Sequence, residues 1–564
     1  MARGVSLHVL VAMAIAATAA GLASTRSASA QDRVVRAFEN GSTFDSVGLL
    51  EGGDETEVDG PQALVSDSNG ALFLLDQNNG RVLTFDPTKS QADTRSLELP
   101  SDMRPSDLVI INENLLVWDD GPRALTTSGD PGERVRSLNV SRAAILDPEL
   151  AADAFAQMGT GEEDPSVDPL AVTRAAPVQK PRLVATRGSG EVQVVSEPLS
   201  KSALRFVVRP RSGGAPLVAA VVRAGDRLGA VDLLEIDAKK RMFLLAENVP
   251  EELNRGAAAV VLRYGSDGQL QGMYELPLAQ SVALSRRFIA ITPDGTVFFL
   301  RTKDKGVEVV EVGFKPTAAN AVIAVKGAAI VEQRTYKGIS AAVRRPTRRQ
   351  VIETAINYET FRWRVTPASY GRDPDRGCSG FNRIRRPGYI NGRLGQEVVG
   401  VPYCWGCFGN LSQISSRMVR GDLAGNVCTR DTPRADVVGV DCSAFVSAAW
   451  GLSSHFTTLA IPSIASPLSD PWDLKPGDAL NKPGSHVMLF LRFTPDRKAE
   501  VIEATPGRCN GRVCRGVYPL SAMLARGYVP MRYRGIAAEV AAVEPTKADS
   551  PRKPDSRPVR AQKP

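Results

Sequence analysis

The sequence predicts two domains of different class: an all-β propeller over residues 35–315 and, over 385–536, a domain that mixes helix with strand. Three observations carry this. Short apolar runs between Gly- or Asp-containing turns recur about every 45–55 residues through the first half, with one longer gap. All 7 cysteines lie at or beyond residue 378. The stretch Asp441–Trp450, closed by Gly451, reads as one buried helix with an Asp cap at its start.

Residues 1–30 come before either domain. Arg3, the apolar run Leu7–Ala20 and the small-residue end Ala28-Ser29-Ala30 read as a secretory signal cleaved after Ala30. A single membrane anchor is the competing reading, but the run is short and broken by Thr18 and Gly21. No later stretch approaches the roughly 20 apolar residues of a spanning helix. The expectation is an exported protein, periplasmic or extracellular, with no integral membrane segment. The formal charge of +7 is concentrated: residues 344–393 hold twelve arginines against four acidic residues. Such a face meets anionic wall polymer or lipid headgroups, or is simply solvated surface. Nothing resembles a nucleic-acid module.

The β repeat is clearest in Gly60–Asp86, where Leu72–Asp76 and Val82–Asp86 flank the turn Asn78-Asn79-Gly80. This unit resembles a blade of the NHL type, a family of mostly binding propellers. Weaker copies centre on Asn114–Asp119, Glu191–Val195, Arg241–Leu245 and Gly295–Leu300, which suggests five to seven blades. A β-sandwich is the alternative architecture. Residues 150–182 interrupt the repeat as a surface insertion. No His or carboxylate cluster with metal or acid/base spacing occurs here, so the expected role is a platform for a ligand or protein partner.

A linker over 316–384 contains one helix, opened by Thr347 with Gln350 as its capping-box partner. The tail 537–564 is rich in proline and charge and reads as disordered. Cysteines 378, 404, 407, 428, 442, 509 and 514 are odd in number. In an oxidising compartment, six paired cysteines and one free thiol is the simplest partition, and its helix-start position nominates Cys442. Zinc on Cys404/Cys407 and Cys509/Cys514 is the alternative. Connectivity cannot be read from spacing.

Cys442 at a first helical turn, with Phe445, Val446 and Ala449 on the same face, would have its thiolate favoured by the helix dipole. A structural cysteine is the plain alternative. A nucleophile needs a base, and outside the leader the chain has two histidines, His455 and His486. His486 opens the apolar run Val487–Leu491, a central strand, and is preferred. On the next strand Glu503 would share a face with His486 if the hairpin loop has an even residue count. It would then orient the imidazole. The other reading is an edge-strand Glu paired with an Arg.

Gly400–Cys407, Asp441-Cys442-Ser443, Leu474–Asp478 and Gly484-Ser485-His486-Val487, in this order along the chain, resemble the NlpC-type papain-fold cell-wall peptidases. The resemblance covers about residues 385–535 and implies an α+β papain-like core. It also implies Cys442 as nucleophile, His486 as base, and Tyr403, Asp441 and Ser443 at the substrate cleft. A bacterial source and peptidoglycan stem peptides as partner follow from it, with no metal or organic cofactor. Cys404, Cys407 and Glu503 depart from the family pattern, pointing to a disulfide-braced variant with a carboxylate as third polar residue. The function expected is hydrolysis of a peptide or isopeptide bond. The alternative is a non-catalytic scaffold that binds wall peptide.

Overall fold

The computed structural model describes residues 31–100, 103–119, 121–127, 138–141, 151, 154, 181–253, 255–324, 345–372, 384–428 and 434–537. The signal, most of the 150–182 insertion, much of the linker and nearly all of the tail expected from sequence lie outside these residues.

The described chain is mostly β. Its first half forms five successive sheets, antiparallel except for the short parallel pairing of Arg33–Asn40 with Ser46–Val47. The second strands of these sheets are Leu72–Asp76, Asn114–Trp118, Gly190–Ser200, Met242–Asn248 and Val297–Lys303. Each of the five sequence copies therefore marks one sheet. The local reason is a recurrent turn. Asp67 accepts from the Asn69 and Ala71 amides at 3.0 and 2.8 Å, with Gly70 at φ 85°. Asp237 holds Lys239 and Arg241 in the same way at 2.9 and 2.8 Å. An Asp side chain that mimics a backbone turn fixes the hairpin, and Gly70 in the first turn and Lys240 (φ 59°) in the second take the left-handed position.

The first strand, Arg33–Asn40, is not in the first sheet. It pairs antiparallel with Gly306–Glu311, so the chain's start completes the last sheet. The innermost strands adjoin: Leu64 N–H donates to Arg287 O and Arg287 N–H to Gln62 O, both at 2.9 Å. Residues of all five innermost strands line one central cavity of about 180 Å³. This is a β-propeller-like arrangement, closed by the N-terminal strand.

The second half is built on a six-stranded antiparallel sheet. Its order is Ala465–Pro467, Val529–Tyr533, Ala479–Lys482, His486–Phe493, Ala499–Thr505, Arg512–Tyr518. Helix α1 (Arg348–Glu359) carries the expected Thr347–Gln350 capping box. Helix α2 (Leu411–Arg420) is capped by Asn410 and stopped by Gly421 in the left-handed region. Helix α3 (Cys442–Ala449) is the predicted buried helix, capped by Asp441.

The sheet is covered on both sides, which explains its unbroken apolar strands. Val487, Leu489, Leu491, Ile502 and Ala504 share a core with Phe445 and Val446 of α3. Met488, Phe490, Ala499 and Val501 share the other core with Phe243, Leu245 and Val261 of the propeller-like half. One hydrophobic core thus spans both halves. Lys498, at the tip of the His486–Thr505 hairpin, lines the central cavity and pairs with Asp232 at 2.7 Å.

The arginine-rich stretch is not one solvated basic face. Arg348 is buried against Asp478 at 2.9 Å, and Arg386 is buried with its guanidinium 3.5 Å over the Tyr370 ring. No helix among the described residues is long and apolar enough to cross a membrane.

Candidate active site

Cys442 is the free cysteine among the described residues. Cys404–Cys407 and Cys509–Cys514 are disulfides, as is Cys428, whose partner lies outside the described residues. The described residues contain no cluster that could hold a metal ion.

Asp441 organises the start of α3. Its carboxylate accepts from the Ala444 amide at 2.7 Å, the Ser443 hydroxyl at 3.1 Å and the Gly406 amide at 2.9 Å. The cap therefore also anchors the disulfide loop beside it. His455 joins this group, 2.8 Å from Ser443 Oγ and 3.3 Å from Asp441, with its ring stacked on Phe408. Burial pushes the His455 pKa down, but the Asp441 hydrogen bond and charge outweigh it and the net direction is up. The less favoured histidine thus stands beside the helix start.

His486 and Glu503 come together as expected: Nε2 lies 2.7 Å from Glu503 Oε2, with both residues buried. The carboxylate also accepts from Arg508 Nη2 at 2.9 Å and the Tyr518 hydroxyl at 2.6 Å. Burial alone would raise the Glu503 pKa. Arg508 and the His486 hydrogen bond reverse this and hold it well below the usual carboxylate range. The edge-strand reading of Glu503 fails on burial, although it does pair with an arginine.

The thiol is the surprise. Its hydrogen bond goes to the Glu55 carbonyl of the propeller-like half, at 3.6 Å. Among the described residues, Cys442 and His486 make no hydrogen bond to each other; the sulfur sits instead against the amides of Val487 and Ser443. The thiolate expected from the helix dipole is not favoured in this arrangement. Burial, then the charges of Asp441 and Glu55, push the thiol pKa well above its ordinary value, and the two amides only partly offset them. The Asp cap that starts the helix places a negative charge where the dipole would have been felt.

Glu55 belongs to a segment that enters the cleft. Its carboxylate accepts from the Thr458 amide (2.6 Å), the Thr458 hydroxyl (2.9 Å) and Ser443 Oγ (3.3 Å). Its amide donates to Gly484 O at 3.3 Å. Thr56 Oγ1 stands 3.3 Å from the Tyr403 hydroxyl, and Trp405 Nε1 donates to Asp54 O at 2.8 Å. Glu57 lies between Lys482 and Arg508, each at 2.9 Å, and accepts from Tyr528 at 3.0 Å. Burial opposes its ionisation, yet these cations bring its pKa down to about 2. Tyr403 and Ser443, expected at the cleft, therefore touch this segment, and Asp441 is linked to it through Ser443. Thr458, Lys482 and Arg508 were not singled out from sequence. Arg508, adjacent to a cysteine in a turn, was the only one with a local signal.

No protein-family model matches the chain, and no curated protein matches it. Among solved structures it is similar to a streptogramin B lyase (10% identity, TM-score 0.20, 47% of this chain and 97% of that one). It is similar to the PQQ-bound aldose sugar dehydrogenase of Streptomyces coelicolor (11%, 0.22, 50% and 98%). It is also similar to a luciferin-regenerating enzyme (11%, 0.24, 49% and 100%).

Proposed function

We propose that this chain is an exported bacterial cysteine hydrolase of the NlpC type. On this reading it cleaves a peptide or isopeptide bond of peptidoglycan stems, with the propeller-like half binding or positioning. The observation that carries it is the pairing of a free thiol at the first turn of α3 with the start of the histidine strand. There the Val487 amide meets the sulfur, and the neighbouring imidazole is held by Glu503.

With Nε2 engaged by Glu503, Nδ1 is the nitrogen left for the thiol proton. Cys442 would attack the carbonyl, and the resulting oxyanion would be met by an amide N–H such as that of Cys442. The C–N bond would break as the imidazolium gives its proton to the leaving amine, and water would hydrolyse the thioester to free acid and thiol. Glu503 is a positioning residue that holds the imidazole through Nε2.

A second reading, a non-catalytic binder of wall peptide, draws on the buried and neutral state of the thiol. Purified peptidoglycan is digested with wild type and with Cys442→Ala, and released fragments are read by mass spectrometry. Fragments that disappear in the variant support the hydrolase. No fragments from wild type or from a Glu55→Ala variant that uncovers the thiol, with wall binding kept, would leave the binder.

A further inference from the structure

We propose that the propeller segment Gly53–Asp59 is a built-in inhibitor of the candidate active site, an acidic strap lying where a peptide substrate would lie. The inference rests on the hydrolase reading for its biological sense, but the contacts stand without it.

The strap crosses from one wall of the cleft to the other. On the helix side, the Glu55 carbonyl takes the thiol and its carboxylate takes Ser443. On the strand side, the Glu55 amide donates to Gly484, two residues before His486, and Glu57 binds Lys482. Backbone and side chains are both engaged, as they would be for a bound peptide. Alternate residues, Glu55 and Glu57, fill two separate carboxylate sites: Thr458 with Ser443, and Lys482 with Arg508 and Tyr528. Glu55 stands at φ 62° in the two-residue turn of a hairpin closed by Gly53 and Thr56, so the strap enters the cleft turn-first, with Glu55 at its tip and Glu57 on the returning arm.

The contacts also account for silence at the nucleophile. Cys442 is 1% exposed. Its hydrogen is engaged by Glu55 rather than by imidazole, and the Glu55 carboxylate adds a second negative charge to that of Asp441 beside the sulfur. Arg508 links the strap to the histidine pair, since it bonds Glu57 and Glu503 together. Asp59 then abuts Gly507, where any side chain would overlap its carboxylate. Moving the strap would therefore uncover the thiol, lower its pKa and release one partner of Arg508.

The test is the alkylation rate of Cys442 by iodoacetamide at pH 8.5 in the full-length protein, compared with the same chain unfolded in urea. The folded wild type is expected to react far more slowly than the unfolded chain, and equal rates would overturn the proposal. Glu55→Ala removes the carboxylate's bonds to Thr458 and Ser443 and one negative charge beside the sulfur, so alkylation should rise about tenfold to a hundredfold with the fold retained by circular dichroism. A folded Glu55→Ala variant that reacts no faster than wild type would also overturn it. Glu55→Gln removes the charge yet keeps an acceptor for Thr458, and is the milder variant should the alanine not fold. It should gain less than Ala; equal acceleration would make charge, not cover, the cause and would sink the strap. Faster alkylation in Glu55→Ala without wall fragments would leave the strap standing and remove the hydrolase.

Discussion

The imidazole of His486 and the carboxylate of Glu503 meet at 2.7 Å because the histidine strand carries one extra residue. Near the turn, Phe493 pairs with Ala499 and Arg492 with Glu500. Continued unchanged, that register would set Glu503 opposite Leu489, on the α3 side of the sheet. An irregularity between Phe490 and Arg492 shifts the pairing so that Leu489 faces Ile502. Glu503 then falls on the same face as His486, because a one-residue slip turns every side chain over.

Glu503→Gln is the first prediction from this pair. It keeps the shape, weakens the hold on the imidazole and leaves Arg508 with one carboxylate fewer. Breaking a buried ion pair on one side costs about 3–5 kcal/mol, which a lowered urea midpoint would register. A purely structural Glu503 would stop there. A positioning Glu503 would also lower kcat on peptidoglycan with KM little changed, because the imidazole is no longer held in one orientation. An unchanged kcat would count against the orienting role.

A second prediction concerns alkaline stability. The folded thiol pKa of Cys442 is raised, so the folded state holds its proton where the unfolded chain has lost it. Below the unfolded value of about 8.5 this group contributes no pH dependence; above it, stability falls by about 1.4 kcal/mol per pH unit until the folded pKa is reached. Urea unfolding between pH 7.5 and 10 should show this slope in wild type, and Cys442→Ala should lack that component. Parallel curves for the two proteins would mean that the thiol is not held neutral.

The third prediction tests the docking of the two halves. Lys498 is buried between Asp232 at 2.7 Å and Asp496 at 3.0 Å, with Arg182 also 3.3 Å from Asp496. Burial lowers the lysine pKa but the two carboxylates raise it overall. Lys498→Ala leaves Asp232 beside Asp496 without its main cation, a loss of about 3–5 kcal/mol for a buried pair. Calorimetry should then separate one unfolding transition into two. A single transition at the wild-type temperature would show that the hairpin tip does not hold the halves together.

Much of this was legible in the chain. Apolar runs marked all five sheets, and an Asp or Gly in the turn marked four of them, the second sheet turning on Asn112-Glu113, because turn chemistry and strand burial are local. Thr347 with Gln350 and Asp441 before Cys442 announced two helix starts for the same reason. His486 and Glu503 were joined on the premise of an even loop. The loop is residues 494–498, an odd count, and the irregularity near Leu491 restored the face that the premise required. Neither feature leaves a mark in the pattern of apolar residues.

What the chain concealed is contact across long separations. The run Glu51–Asp59 has five acidic residues in nine and reads as solvated surface. Its first four residues are exposed, but Glu55 is half-buried against Thr458 and Glu57 buried against Lys482 and Arg508, partners more than 400 residues away. The thiolate expectation failed at the same place. It was drawn from one helix, while the pKa is set by what covers that helix.

The strap also has a consequence for the order in which the molecule is made. Glu55 precedes Cys442 by 387 residues. A chain synthesised from its N-terminus completes the inhibitor segment long before the cleft exists. The first strand must wait for residues 306–311 before the propeller-like ring can close, and the ring is complete before α3 emerges. The nucleophile is therefore born into a structure that already holds its cover, with no interval in which a finished, open site stands alone.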